Sequence, residues 1–187
     1  LLVANDRSAR RRLAGIVAGV MVGVTLFLML LAAAQAFPER SMRSSWASTA
    51  LIPGIPGQSN HTDLRPDHTL TAGELAVATN FDVVGNQPIT VLRVALPESG
   101  TTSVKIPGSD IVPKRGEYLA SPALAKRIAS LPADQLGDRY GKQVGVLSPE
   151  AVEGPDSLVA VVGTDLGTVS ASEFYIPPQV VTSFQGI

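Results

Sequence analysis

The chain contains no cysteine. That excludes disulfide frameworks, thiolate zinc sites, iron–sulfur clusters and cysteine nucleophiles together, without naming a compartment. Aromatic residues make up only 5% of the 187 positions and charged residues 17%. Neither sign of charge is in excess, since fifteen Lys and Arg face sixteen Asp and Glu for a net charge of −1. With a pI near 6.1 no global field favours nucleic acid, and no nucleic-acid partner is expected. Proline is missing from the first 37 residues, although the chain holds fourteen. What is abundant is apolar surface: 45% hydrophobic residues and a mean hydropathy of +0.23, high for a purely soluble domain. The length allows one domain plus an extra segment and excludes a multi-domain enzyme. A start at Leu1 rather than Met reads as an internal piece of a longer product.

The apolar excess is concentrated from Leu13 to Ala34, where Thr25 is the only polar side chain and no charge follows before Glu39. As a helix this run spans about 33 Å, enough for a hydrocarbon core of about 30 Å. A secretory signal would use Arg10–Arg12 as its basic region and Ala34-Gln35-Ala36 as its cleavage site, but signal cores run about 7 to 15 residues. The run is therefore read as a membrane span. Arg7, Arg10, Arg11 and Arg12 outweigh Asp6 on its amino-terminal side, whereas residues 38–187 are net acidic. The positive-inside rule then places the amino terminus in the cytoplasm and the bulk of the chain outside the cell membrane. Leu1–Ala4 could end an interfacial helix along the inner leaflet. Gly15, Gly19 and Gly23 recur every four residues, which stacks them on one helix face as a groove for close helix packing. The partners would be other transmembrane helices of the same or a second chain.

The organisation expected is a cytoplasmic basic segment over 1–12, a transmembrane helix over 13–37, an extended Pro/Ser-rich lead-in over 38–73 and an extracytoplasmic α+β domain over 74–187. Leu75–Val84 and Ile89–Leu96 read as strands joined at Gly85-Asn86-Gln87-Pro88 in a hairpin. Val104–Ile106, Ile111-Val112, Gly145–Leu147, Leu158–Val162 and Val180-Val181 are further strand candidates. Ser121-Pro122 supplies an N-cap and a first helical residue, and Leu124, Ile128 and Leu131 then mark one face of an amphipathic helix. Pro132 closes it or opens a short turn through Gln135 and Leu136. Strands, a helix, then strands indicate a mixed or antiparallel sheet with one or two short helices.

Catalytic and cofactor motifs fit poorly. Gly137-Asp138-Arg139-Tyr140-Gly141-Lys142-Gln143 has one residue too few for a phosphate-binding loop and ends in glutamine where the loop needs a hydroxyl for magnesium, so it reads as a turn. His61 and His68, with Asp63 and Asp67 nearby, have the atom types for zinc or proton transfer but match no zinc spacing, and read as solvated loop residues. Asn60-His61-Thr62 matches the glycosylation sequon, relevant only in a eukaryotic secretory pathway. Without a nucleophile elbow or a Ser-x-x-Lys pair, Ser121 is better explained by capping, and Glu117 beside Tyr118 by a structural role. No catalytic residue, metal or cofactor is assigned.

Two stretches carry a likeness to a known family. Asn5-Asp6-Arg7-Ser8-Ala9-Arg10-Arg11-Arg12-Leu13, the glycine-rich span and then Arg40, Arg43 and Trp46 resemble the start of actinobacterial FtsX-like permeases of ABC transporters, a group related to MacB and to lipoprotein-releasing permeases. Pro113-Lys114-Arg115-Gly116-Glu117-Tyr118-Leu119-Ala120-Ser121-Pro122-Ala123-Leu124-Ala125 resembles the segment that introduces a helix in their extracytoplasmic domain. The resemblance implies a MacB-like periplasmic core, three more helices after Ile187, and a separate cytoplasmic ABC ATPase subunit whose ATP hydrolysis drives conformational change for export or release of a substrate. It implies no enzymatic activity in this chain. The alternatives are a single-pass, membrane-anchored ligand-binding or sensor module, and an anchored hydrolase using His61 or His68.

Overall fold

The computed structural model describes residues 7–48, 61–65, 67–171 and 177–184. It divides into two units, Leu1–Glu39 and Arg40–Ile187.

The first unit is the greater part of helix α1, Arg7–Ser48. Within it Arg12–Ala32 is long and apolar enough to cross a membrane, with a mean hydropathy of 2.5 and none of its side chains buried. Beyond Arg12 its one polar side chain is satisfied internally, the Thr25 hydroxyl donating to the Met21 carbonyl at 2.8 Å. The span was expected to end at Phe37, before an irregular lead-in. Instead α1 passes through Pro38 and stops at Ser48. One proline removes a single rung of the helical ladder, and Glu39, Arg40, Met42 and Arg43 are good helix formers that sustain the rest.

The second unit is built on a seven-stranded mixed sheet. Its strands are β1 His61–Asp63, β2 Leu75–Val84, β3 Gln87–Ala95, β4 Glu117–Ala120, β5 Lys142–Val146, β6 Val159–Thr164 and β7 Gln179–Val181, arranged in the order β1-β7-β2-β3-β6-β4-β5. The β3–β6 and β4–β5 pairs are parallel and the others antiparallel. Helices α2 Pro122–Ser130 and α3 Leu166–Ser170 complete it, with a single helical turn at Ala133–Gly137 and another at Pro149–Ala151.

The β2–β3 hairpin forms as its apolar runs predict, but with a tighter turn. Val84 pairs with Gln87, so only Gly85 and Asn86 turn the chain, and Gly85 adopts φ +60° as the first position of a type II′ turn requires. Pro88 therefore lies inside β3, opposite Val83. It is tolerated because β6 begins to pair only at Thr90, leaving no ladder for the missing N–H to break.

Through the centre of the sheet both faces are buried, which is why the inner parts of β2, β3 and β6 read as continuous apolar runs. Leu75, Val77, Leu92, Val94, Leu119, Val159 and Val161 point to one face, where Trp46, Ala47, Val104, Ile106, Leu147 and Val152 cover them. On the other face α2 and the turn after it cover Ile89, Val91, Tyr118, Ala160 and Val162, while Val169 of α3 sits on Ala76, Ala78 and Ala95. At about 25 cal/mol per Å² each such buried Leu or Val contributes about 1.5–3 kcal/mol.

Helix α2 has the cap foreseen: the Ser121 hydroxyl accepts from the Leu124 N–H at 3.3 Å, Pro122 occupies the first turn, Leu124 is buried and Ile128 and Leu131 are half-buried. Several short assignments need correction. Val104–Ile106 and Ile111-Val112 are loop, linked to sheet geometry only by an isolated bridge from Ile106 to Ser109. Their apolar residues fill core without joining the ladder. Conversely β4, α3 and β1 arise where no regular element was expected, and His61 lies in β1 rather than in a loop. The carboxyl-terminal part of the Gly137–Gln143 string is the start of β5.

Candidate functional site

The apolar stretch of α1 keeps its glycines on an open face. A Cβ built on Gly15, Gly19 or Gly23 meets no atom within 4 Å. The side chains around it, from Leu13 to Leu31, are exposed. Arg7, Arg10, Arg11 and Arg12 all fall in the first turns of α1, and Arg12 opens the membrane-length stretch.

The last turns of α1 belong to the second unit, and Trp46 ties them to its core. Trp46 is 1% exposed. Its indole Nε1–H donates to the Ala151 carbonyl at 2.6 Å, and its ring meets Phe184 edge-on at 5.8 Å. The next residue is held as well, the Thr79 hydroxyl donating to the Ala47 carbonyl at 3.3 Å. A helix end normally leaves its final carbonyls without partners, and here a strand side chain supplies one. The sequence flagged Trp46 only within a resemblance. A lone tryptophan just past the apolar stretch, in a chain so poor in aromatics, was the clue to a buried contact.

Phe184 also lines an open cleft of about 850 Å³, bounded by the loop Ser103–Ile111, by Gly145 and Val146 at the end of β5, and by Thr182 and Ser183. Its walls mix apolar side chains with hydroxyls, and Lys105 and Asp110 supply one charge of each sign. That volume falls within the range of small-ligand sites. Gly108 shapes the loop with φ +74° at a point where a side chain would strike Ala151 and Ser148.

A second polar centre clasps the hairpin arm. Arg139 Nη1 donates to both Asp82 oxygens at 2.9 Å and to the Val83 carbonyl at 3.1 Å, while its Nη2 donates to the Gln135 carbonyl at 2.9 Å. The Tyr140 hydroxyl donates to Asp82 Oδ2 at 2.7 Å. Partial burial pushes the Asp82 carboxyl up, but hydrogen bonds from Tyr140, the Val83 N–H and Arg139 outweigh it and leave the group below its usual range. Burial and the bond to Asp82 push the Tyr140 phenol up. A tyrosine held protonated against an ionised carboxylate is a fastener, not a proton shuttle. Arg139 and Tyr140 come from the Gly137–Gln143 string that fails the phosphate-loop pattern, and the structure uses them for tertiary contact.

The histidines are not assembled into a site. His68 Nε2 lies 3.3 Å from Glu74 Oε2, and Glu74 is held below the usual carboxylate range chiefly by the Thr71 N–H, which bonds the same oxygen at 2.8 Å. His61 is paired in register with Val181 of β7. Among the described residues no group of three or more His, Cys, Asp or Glu is placed to hold a metal ion. Ser121 is fully buried and fully engaged: its hydroxyl donates to the Ser157 carbonyl at 2.6 Å and accepts from Leu124 and Val159 N–H groups. Glu117 accepts from the Lys114 N–H at 2.9 Å, closing a turn. Asn60 lies outside the described residues. Comparison of the chain with protein-family models, with curated proteins and with solved structures finds no match.

Proposed function

We propose that this chain is the amino-terminal part of an ABC-transporter permease of the FtsX-like, MacB-related kind, spanning the cell membrane with its second unit on the extracytoplasmic side. In this reading it is not an enzyme. A separate cytoplasmic ATPase hydrolyses ATP, the transmembrane helices shift, and the outer unit changes shape to export or release a substrate. The observation that carries the reading is the continuity of α1: one helix contains the apolar stretch and delivers Trp46 into the core of the α+β unit. A movement of the helix end then cannot leave that core unchanged, because Trp46 is both packed and hydrogen-bonded. Gly15, Gly19 and Gly23 serve helix packing with neighbouring spans, and Arg7 and Arg10–Arg12 set topology and meet anionic lipid.

The test joins topology to partnership. Alkaline phosphatase fused after Ile187 is active if the second unit is outside, and inactive if it faces the cytosol. The protein purified from native membranes in mild detergent carries an ATPase activity that Gly19→Leu diminishes by blocking close helix approach. An inactive phosphatase, or purification without any ATPase, refutes the permease.

The cleft beside Phe184 favours a second reading, a single-pass anchored sensor or ligand-binding module. That version needs a saturable ligand and no ATPase.

A further inference from the structure

The β2–β3 hairpin departs from the rule for a half-covered antiparallel arm. One face should be apolar against the core and the other polar toward water. The covered face obeys, with Val84, Ile89 and Val91 buried near Tyr140 and Leu136. The open face does not. Phe81 and Val83, alternate residues of β2, are 62% and 53% exposed, with Thr90 and Pro88 directly opposite them on β3. Among the described residues of the second unit only Ile111 and Val146 are comparable exposed large apolar side chains.

This face continues into a hollow of about 340 Å³ walled by Pro88, Thr90, Ser157, Leu158 and Ala47, with Glu153 and Asp156 also lining it. Both acids are exposed, and among the described residues no Lys or Arg lines the hollow and neither acid has a cationic partner. Farther along the same sheet face, Leu75, Val77 and Thr79 are roofed by the end of α1, whose Ala47 also walls the hollow. A second helix laid alongside would extend that helical layer over Phe81 and Val83. Its apolar stripe would meet Phe81, Val83 and Pro88, and cations on its flank would meet Glu153 and Asp156.

We propose that this face receives a basic, amphipathic helix of a partner protein. The inference rests on the second unit's own surface and not on transport, so loss of the ATPase reading leaves it standing.

The full chain in phosphatidylcholine nanodiscs is titrated with a labelled helical peptide of about five turns, carrying a leucine stripe flanked by lysines, and with the same peptide bearing glutamates. Empty nanodiscs provide the baseline. The basic peptide binds saturably and the acidic one at least about tenfold more weakly. Phe81→Ser with Val83→Ser weakens the basic peptide at least about tenfold, and Glu153→Gln with Asp156→Asn about fivefold. All four side chains are exposed, and unchanged Trp46 emission confirms that the fold is kept. A benzophenone amino acid at position 81 crosslinks to the peptide. Equal binding of both peptides, indifference to the serine pair, or crosslinks only to lipid or to a second copy of the chain would overturn the proposal.

Discussion

Replacing Trp46 tests whether the end of α1 is truly part of the second unit's core. The ring is 1% exposed, touches Phe184 and spends its only polar hydrogen on the Ala151 carbonyl. Trp46→Phe keeps most of the apolar volume but leaves that carbonyl buried without its donor, a loss of about 2 kcal/mol. Trp46→Ala removes the whole side chain from a packed environment and costs about 4 kcal/mol. For a unit of this size 1 kcal/mol moves Tm by about 2–4 °C, so the alanine variant melts about 10 °C lower. Because the substitution abolishes tryptophan fluorescence, near-ultraviolet circular dichroism of the tyrosines is the better probe, with Tyr118 and Tyr140 packed 5.8 Å apart. Phe81→Ser is the internal control, expected within about 0.5 kcal/mol because that side chain faces water. A Trp46→Ala protein melting within about 2 °C of the parent would refute the placement of α1 in the core.

Three further outcomes are expected. Ser121→Ala strips one hydroxyl from three hydrogen bonds, capping α2 and tying it to β6, and lowers stability by about 2 kcal/mol in chemical denaturation; a change under about 0.5 kcal/mol contradicts that role. Gly163→Ala drives a methyl into the Pro113 and Lys114 carbonyls that cross β6, and is expected to cost about 3 kcal/mol, whereas Gly73→Ala, in open space, is near neutral in the same melt. Asp82 has a folded-state pKa below its unfolded value near 3.9, so its stabilisation is complete above about pH 4 and is lost as pH falls through the folded value. Asp82→Asn therefore lowers Tm at pH 7 by an amount worth about 1 kcal/mol, discounted for the partly exposed Arg139, and reduces the slope of Tm against pH on the acid side; an unchanged acid slope rejects the clasp.

Local chemistry was legible wherever one residue or one period sufficed to specify it. Gly85-Asn86 between two β-branched runs makes a hairpin, Ser121-Pro122 starts a helix, and an uncharged apolar run makes a long exposed helix, because each depends on neighbours within a few positions. Periodicity failed where burial came from somewhere else. Val104 and Ile106 are apolar because they plug one face of the sheet, and a short apolar run does not reveal whether its backbone joins a ladder. The Asp82 clasp joins residues 57 and 58 positions apart, a separation at which spacing carries no information.

From its sequence alone this protein was committed to a membrane-length apolar helix with a basic start and to an α+β unit after it, since hydropathy, charge and turn chemistry are properties of the chain itself. Only tertiary structure decided that β6 lies between β3 and β4, that α1 continues to a tryptophan inside the second core, and that Gly163 must have no side chain. Those features exist where distant segments compete for the same space, and excluded volume acts between atoms that the order of residues does not bring together.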